Sequence, residues 1–344
     1  GDNGRGFGLG SNPVATTIYD MDQTFSHELN GNTRLEASFL KNFKFLLQYG
    51  IQYGNYSSDQ LGNFFYGFSK TTGGSIFKVK QSILSNTFLQ SLSYKNSFDL
   101  HNVELKLFHE SQDYTFNSLN AFRQQLADPF SVELNNAVVN ISSGSFQTDF
   151  SIESYFGILD YNYDEKYFAS LSARRDGSSR FLNNKWGTFL SFGASWLLSK
   201  EDFLSDSSWV NFLKFKTSYG TTGDQAGASL YSGYTLNTIG NLNDLPEFKE
   251  STIGNPDLTW EASVQFQVGT EFELFERFEA ELDYYIKTTD NLLVPVNIGP
   301  SKGYRRFTGN DGSLQNSGFE FNLTGHLIKT NDLKLQLNLN GAIT

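Results

Sequence analysis

Apolar and polar residues alternate along much of this 344-residue chain. In residues 43–53, every odd position is aromatic or aliphatic, and all but one of the even positions are Lys, Gln or Gly. The same period of two returns in residues 260–269, 278–287 and 333–341. Because successive side chains of a strand point to opposite faces of a sheet, each segment predicts a strand with one apolar and one polar face.

The whole chain predicts about twelve such strands, most of them about 10 to 15 residues long. Strands of soluble proteins are about five or six residues long, whereas a strand that crosses a bilayer needs about 9 to 11. A barrel in lipid turns its apolar face outward and encloses a polar lumen. The residues that test this orientation are Phe45, Tyr49, Phe266 and Leu337, expected to face lipid, and Gln48, Gln265 and Asn338, expected to face the lumen.

Short and long connections alternate between the predicted strands. The short ones are residues 40–42, 95–101, 164–165, 200–210, 275–277 and 329–332, and the long ones are 54–81, 111–151, 221–258 and 289–315. One long loop contains a predicted helix at 119–127, with Ser118 as its N-cap and Pro129 beyond its end. The alternation is typical of outer-membrane barrels, so we predict an all-β, transmembrane antiparallel β-barrel with short periplasmic turns and long extracellular loops.

Composition excludes several classes of protein. Mean hydropathy is negative, and no stretch reaches the roughly twenty apolar residues that a spanning helix needs. The absence of Cys excludes disulfides and thiolate metal sites, and a net charge of -11 argues against binding to nucleic acid. The chain starts at Gly1 inside a loop-like stretch, residues 1–10, without a leader, and stops within an alternating run. We therefore expect an interior fragment of a longer protein.

The sequence predicts no catalytic, metal or cofactor site. The four histidines, His27, His101, His109 and His326, lack the spacing of a helical zinc site. The glycines of "GRGFGLG" have neither the preceding strand nor the following helix of a dinucleotide site. Six carboxylates share the polar face of one predicted hairpin: Glu261, Glu271, Glu273, Glu279, Glu281 and Asp283. A catalytic pair is one interpretation, but a solvated, acidic periplasmic end of the lumen that packs on a plug is favoured.

The stretch "RRDGSSRF", residues 174–181, concentrates four charges at a predicted surface-side hairpin. A phosphate-binding loop would require a following helix, whereas here a strand follows. Asp, Gly and Ser in its centre are typical turn residues. We therefore predict a hairpin tip in which Arg174, Arg175 and Arg180 bridge neighbouring loops or acidic residues.

Two long loops carry aromatic residues that are candidates for substrate contact. They are Phe64, Phe65 and Tyr66 in "GNFFYGF", and Tyr231 and Tyr234 in "LYSGYTL". Exposed rings could stack on sugars or grip peptide side chains. The alternative is that these loops pack on one another or on a neighbouring protein. The acidic balance of the chain does not distinguish an oligosaccharide from a peptide as cargo.

Several sequence blocks, in this order, resemble the SusC/RagA family of TonB-dependent outer-membrane transporters. They are "SNPVATTIYD", "KYFASLSARRDGSSRF", "WGTFLSFGASWLLSKEDFL", "LKFKTSYGTTGDQ", "GNPDLTWEASVQFQVGTEFELFERFEAELDYYIKTTDNLL" and "GNDGSLQNSGFEF". Together they extend over nearly the whole chain. One departure is Asp224, where the family more often has Asn.

The resemblance implies a barrel of about twenty-two strands, of which residues 1–344 supply about twelve as part of one barrel domain. It also implies a plug domain, a TonB box and C-terminal strands that are not in this chain. A SusD-like surface lipoprotein, coupling to TonB through the absent N-terminal region, and a dimer of transporter–lipoprotein pairs follow from the same resemblance. The implied function is TonB-coupled import of an oligosaccharide or peptide. From the residues alone, a passive porin and, less favoured, an outer-membrane barrel enzyme stay open.

Overall fold

The computed structural model describes residues 13–65, 67–299, 301, 303–330 and 332–344. The loop predicted at residues 1–10 and the candidate Tyr66 lie outside these residues. Over the described ranges, no helix is long and apolar enough to cross a membrane. One short α-helix, α1 (Pro13–Tyr19), precedes the first strand.

Strands dominate the described part of the chain, as the alternating pattern predicts. They are β1 (Met21–Phe39), β2 (Phe43–Gly62), β3 (Ser75–Phe98), β4 (His101–Leu126), β5 (Ala137–Tyr163), β6 (Tyr167–Ser178), β7 (Trp186–Leu197), β8 (Val210–Asp224), β9 (Leu236–Leu242), β10 (Leu245–Thr252), β11 (Glu261–Leu274), β12 (Phe278–Asp290), β13 (Leu293–Asn297), β14 (Arg306–Asn310), β15 (Ser313–Lys329) and β16 (Lys334–Ile343).

Twelve of these strands form one antiparallel sheet in the order β1-β2-β3-β4-β5-β6-β7-β8-β11-β12-β15-β16. The other four form two separate hairpins, β9–β10 and β13–β14, inside the long connections that follow β8 and β12. The up-and-down order confirms the predicted antiparallel topology.

The chain divides into two compact units. The first contains the chain up to Thr33 together with Tyr49–Thr87 and Gln112–Phe150, and the second contains Arg34–Gln48, Phe88–Ser111 and Ser151–Thr344. In the first unit, the buried residues Leu61, Ile76 and Ala137 form a small apolar core against Leu126 and Leu134. In the second, Phe181, Phe189, Ala228, Leu258, Trp260 and Leu293 form a core.

Tight turns join the strands at one end of the second unit. Residue pairs in the left-handed region make these turns: Leu40 and Lys41, Asp164 and Glu165, and Phe275 and Glu276. Positive φ angles are unfavourable for residues other than Gly. Hydrogen bonds from their backbone N–H groups stabilise this conformation at Phe275 and Glu276. The Phe275 N–H donates to the carbonyl of Trp209, and the Glu276 N–H donates to Asn211 Oδ1 at 2.7 Å.

The predicted helix at 119–127 is wrong, because β4 runs as a strand to Leu126. Tertiary pairing overrides local helix propensity here. Phe122 packs edge-on against Phe77 at 6.3 Å, and Arg123 Nη1 donates to the carbonyl of Leu134 at 2.8 Å. The backbone N–H of Leu126 donates to the carbonyl of Gly73.

The long connections predicted at 54–81 and 111–151 are much shorter in the structure. β2 ends at Gly62 and β3 begins at Ser75, while only residues 127–136 separate β4 from β5. In these strand ends, polar residues occupy both faces, so the period-two signal disappears although the strand continues. Strands β2–β5 are consequently 20 to 27 residues long, well beyond the predicted lengths.

Large apolar side chains lie on one face of the strands in the second unit, called here the outer face. In β7, β8 and β11, the register aligns Phe192 with Tyr219 and Tyr219 with Phe266 in a row. The neighbouring row on the opposite, inner face is Gly193, Ser218 and Gln267. The predicted lipid-facing residues are exposed: Phe45 38%, Tyr49 41%, Phe266 41% and Leu337 63%. None lies in a dry interior, which is the outcome that a lipid-facing surface requires.

Candidate functional site

Charged side chains from three adjacent strands meet on the inner face of the second unit. The register pairs Glu271 on β11 with Glu281 on β12. Gly269 lies between Lys216 on β8 and Asp283 on β12. The carboxylates of the predicted acidic hairpin therefore share one face, as expected from their spacing.

Lys216 is the centre of this cluster. Its Nζ lies 3.1 Å from Glu271 Oε1, 2.5 Å from Glu281 Oε1 and 3.2 Å from Asp283 Oδ2. Lys214 Nζ adds a contact of 3.4 Å to Glu271 Oε2. Asp283 is the most buried of the carboxylates, with 10% of its side chain exposed. Two lysines thus balance most of the charge of three acids, which makes an ion-pair network rather than an unpaired acidic surface.

Gly269 makes this network sterically possible. A Cβ at position 269 would lie 2.1 Å from Asp283 Oδ1 and 2.8 Å from Lys216 Cε. Asp283 and the lysine stem therefore fill the space that any side chain at position 269 would need. Gln267, which lies on β11 like Gly269, donates from Nε2 to Asp283 Oδ1 at 3.0 Å and so fixes the carboxylate. We call Lys214, Lys216, Gln267, Gly269, Glu271, Glu281 and Asp283 the Lys216 cluster.

Open recesses lie on both sides of the Lys216 cluster. One, of about 530 Å³, is lined by Asp160 and Ser170 as well as by Lys214 and Lys216. The other, of about 620 Å³, lies beside Glu281, Asp283 and Glu320. Lys216 lines both. The cluster is thus a polar ridge that a large polar partner could contact from two sides.

Sequence reasoning found the carboxylates but missed both lysines and Gly269. The signal was present in "LKFKTSYG", where Lys214 and Lys216 occupy alternate positions of β8 and so share a face. Only the register of β8 against β11 shows that this face is the one that carries the acids.

The hairpin tip predicted at residues 174–181 is wrong for its first five residues, because β6 continues as a paired strand to Ser178. The three arginines of "RRDGSSRF" point in three directions. Arg174 Nε donates to both carboxylate oxygens of Asp176, at 2.7 and 2.9 Å, which confirms the predicted acidic partner. Arg180 Nη1 donates to the carbonyl of Ala228, which confirms the predicted bridge to a neighbouring loop. Burial lowers the pKa of the Arg180 guanidinium. Arg175 forms no ion pair within the described residues and lies over the ring of Trp186, so the prediction is wrong for this residue.

The loops at the end of the second unit opposite the tight turns are fixed by their own core. Phe181 and Leu258 are fully buried and pack with Trp260. Trp260 Nε1 donates to the carbonyl of Lys185 at 2.9 Å, and Asn310 Nδ2 donates to the carbonyl of Thr259 at 2.8 Å. Three separate connections, those between β6 and β7, β8 and β11, and β12 and β15, are thereby joined, so this end of the unit is well packed.

The candidate aromatic residues differ in exposure. In the first unit, Phe65 is 46% exposed and its ring lies 4.5 Å from that of the half-buried Phe64. In the second unit, Tyr231 and Tyr234 are half-buried and pack edge-on at 6.5 Å. The two loops belong to separate units. Substrate contact by these residues stays a prediction.

A carboxylate joins two outer-face rings near the tight turns. Glu201 Oε1 accepts hydrogen bonds from Tyr167 Oη at 2.7 Å and from Trp196 Nε1 at 2.9 Å. These hydrogen bonds hold the pKa of the Glu201 carboxyl below its usual range. Lys200 Nζ pairs with Glu165 at 2.7 Å beside it. Aromatic rings with anchored polar ends are typical of the interfacial girdle of a membrane barrel.

Within the described residues, no group of three or more His, Asp or Glu side chains is placed to hold a metal ion. His101 Nδ1 lies 2.8 Å from Tyr161 Oη, and His326 Nε2 lies 3.0 Å from Glu279 Oε1. Each of these histidines has a structural partner in the sheet.

Comparison with known proteins gives the following matches. The family model described as "TonB dependent receptor-like, beta-barrel" matches residues 1–344. A TonB-dependent receptor of Formosa agariphila is 29% identical over 338 residues, which cover 93% of this chain and 33% of the relative. TonB-dependent receptor SusC of Bacteroides thetaiotaomicron is 27% identical over 348 residues, which cover 96% of this chain and 34% of the relative.

Among solved structures, the RagAB peptide importer in its "closed-closed" state superposes with a TM-score of 0.85 and 26% sequence identity. The match covers 94% of this chain and 36% of the matched chain. The RagAB peptide transporter gives a TM-score of 0.86 at 25% identity, over 96% of this chain and 38% of the other. The chain spans about a third of the length of the relatives that it matches end to end.

Proposed function

The chain belongs to the TonB-dependent receptor-like β-barrel family, and from this premise we propose that the protein imports a nutrient across the bacterial outer membrane. The cargo is an oligosaccharide or a peptide. TonB drives the import, and the transporter works with a SusD-like surface lipoprotein. Two such transporter–lipoprotein pairs form a dimer.

Family membership confirms several predictions made from the sequence. The chain is part of a transmembrane antiparallel β-barrel, it is similar to the SusC and RagA proteins, and it lies in the outer membrane. Its family consists of receptors and transporters rather than enzymes.

The observation that carries the proposal is the likeness to the RagAB peptide importer over 94% of the chain. Membership of one family with SusC supports the same mode of transport. A passive porin would need a lumen free of a gating domain. Here the inner face carries the Lys216 cluster, and its paired, partly buried charges suit a second polar surface packed in the lumen. We place a plug domain, from residues outside this chain, against that cluster.

Uptake by cells that make the full-length protein tests the proposal. Cells with and without TonB are given labelled oligosaccharides and peptides, and accumulation is measured. Import that requires TonB is expected, because the family couples transport to TonB. Equal uptake in both strains would support a passive porin instead. Purification from outer membranes, followed by mass spectrometry, identifies the lipoprotein partner and the bound cargo, and recovery of the barrel alone would contradict the partnership.

A further inference from the structure

Arg175 is an arginine on the outer, lipid-facing side of the sheet. Its cross-strand neighbours are Tyr155 on β5 and Thr188 on β7. The adjacent Arg174 lies on the inner face, where it binds Asp176. Successive residues of β6 therefore send one guanidinium to each side of the barrel wall.

The guanidinium of Arg175 rests on aromatic rings. Its Cζ lies 5.4 Å from the centroid of the Trp186 ring, in cation–π geometry. The centroid of the Tyr155 ring lies 6.2 Å from that of the Trp186 ring. Both rings are about half exposed and are tilted by 33° to each other, so the pair forms an aromatic shelf with a cation over its Trp186 side.

Arg175 has no ion-pair partner in the part of the chain that the structure describes. On the same face, Glu153 Oε1 accepts a hydrogen bond from Tyr155 Oη at 2.5 Å and lies 3.3 Å from His109 Nε2. These two partners occupy Oε1 of Glu153. Among the described residues the Arg175 guanidinium makes no hydrogen bond, so its N–H donors can bind a ligand.

The position of this shelf along the strand matches the level of lipid headgroups. Trp186 and Trp196 are the two ends of β7 on the outer face, ten residues apart. Ten residues span about 33 Å along a strand, which at a tilt of about 40° is about 25 Å, the height of the apolar band of an outer-membrane barrel. Trp196 lies beside the short periplasmic turns, so Trp186 lies at the extracellular boundary.

An exposed guanidinium at this boundary is placed to bind an anion, and its planar fork fits two phosphate oxygens. The outer leaflet of an outer membrane presents phosphorylated glycolipid. We propose that Arg175 and the Trp186–Tyr155 shelf form a binding site for the phosphate group of an outer-leaflet glycolipid. The aromatic rings contact the sugar and the upper acyl chain, and Arg175 binds the phosphate.

Native mass spectrometry of the purified full-length transporter tests the site. Delipidated protein is titrated with phosphorylated lipid A and, separately, with the same lipid after removal of its phosphates. The variants are Arg175→Gln, which removes the charge, and Arg175→Lys, which retains a point charge. The matched control is Arg306→Gln, because Arg306 is also exposed but lies on the separate β13–β14 hairpin.

Wild type is expected to bind phosphorylated lipid about tenfold more tightly than the dephosphorylated lipid. Arg175→Gln should lose about that factor for the phosphorylated lipid alone, Arg175→Lys should lose less, and Arg306→Gln should match wild type. Equal binding of both lipids by wild type would overturn the proposal even if Arg175→Gln fails to insert. Displacement of the lipid by inorganic phosphate would also overturn it, because the site would then bind a simple anion.

Discussion

The inner and outer faces of β8, β11 and β12 have the same backbone but stabilise the sheet in opposite ways. On the inner face, polar groups bind one another, with Lys216 in contact with three carboxylates. On the outer face, Tyr219 and Phe266 lie side by side without hydrogen bonds between them. These side chains face the lipid, which solvates them in place of polar partners.

The difference shows where specificity resides in this part of the barrel. Any large apolar residue satisfies the outer face, because lipid is a fluid partner. The inner face needs particular residues at particular positions, since Lys216 reaches Asp283 only across a glycine. We therefore expect substitutions on the outer face to depend on polarity, and those on the inner face to depend on shape and pairing.

A lysine placed on each face gives the largest contrast. Tyr219→Lys puts a charge near the middle of the apolar band and should destabilise the barrel by about 2–4 kcal/mol. Ser218→Lys is the matched control, because Ser218 is the next residue, is exposed and faces the inner side. Thermal unfolding of the full-length transporter, reconstituted in lipid, measures both.

The contrast between these two variants decides the orientation of the sheet. Ser218→Lys should unfold close to the wild-type temperature, since a surface substitution next to polar groups usually changes stability by about 0.5 kcal/mol or less. A larger loss for Ser218→Lys than for Tyr219→Lys would mean that the faces are reversed.

Gly269→Ala should have the next largest effect. The added Cβ overlaps Asp283 Oδ1 and comes within 2.9 Å of the Leu282 carbonyl oxygen. Overpacking of this kind costs about 1–3 kcal/mol. Gly193→Ala, on the inner face of β7 with only a 3.9 Å contact, is the control and should be close to neutral. Equal unfolding temperatures for the two variants would contradict the role of Gly269.

Lys216→Met should destabilise the folded protein by less, about 1–2 kcal/mol. The substitution removes the cation beside Asp283, but Gln267 still donates a hydrogen bond to the Asp283 carboxylate. Asp283→Asn in the same protein removes the unpaired charge and should recover part of the loss. Lys95→Met is a control at another lysine on the same recess. If Lys216→Met and Lys95→Met unfold alike, the cluster is not a structural network.

Alternation predicted the sheet and its two faces because a period of two is a local property of the chain. It placed the turn at Phe275 and Glu276 correctly. It fails where polar residues occupy both faces, because the sequence there predicts a loop with a helix, whereas the structure has the end of β4 and the start of β5. The Lys216 cluster combines residues from Lys214 to Asp283, and the register that joins them depends on strand pairing across a 36-residue connection, residues 225–260. No local pattern contains that register.

Glu201 differs from the apolar residues of the outer face, because its carboxylate accepts hydrogen bonds from two outer-face rings. Its protonation should have the smallest effect on stability among these predictions. Since the pKa of Glu201 is lowered in the folded protein, its contribution to stability is present above the ordinary value of 4.5 and is lost as the pH falls below it. Protonation weakens the hydrogen bonds from Tyr167 and Trp196. Tryptophan emission of the full-length protein should therefore shift between neutral and acidic pH, with a midpoint below 4.5.

Glu201→Gln keeps an acceptor oxygen but cannot titrate, so it should lack this transition. Identical pH profiles for wild type and Glu201→Gln would show that the carboxylate charge does not hold the two rings.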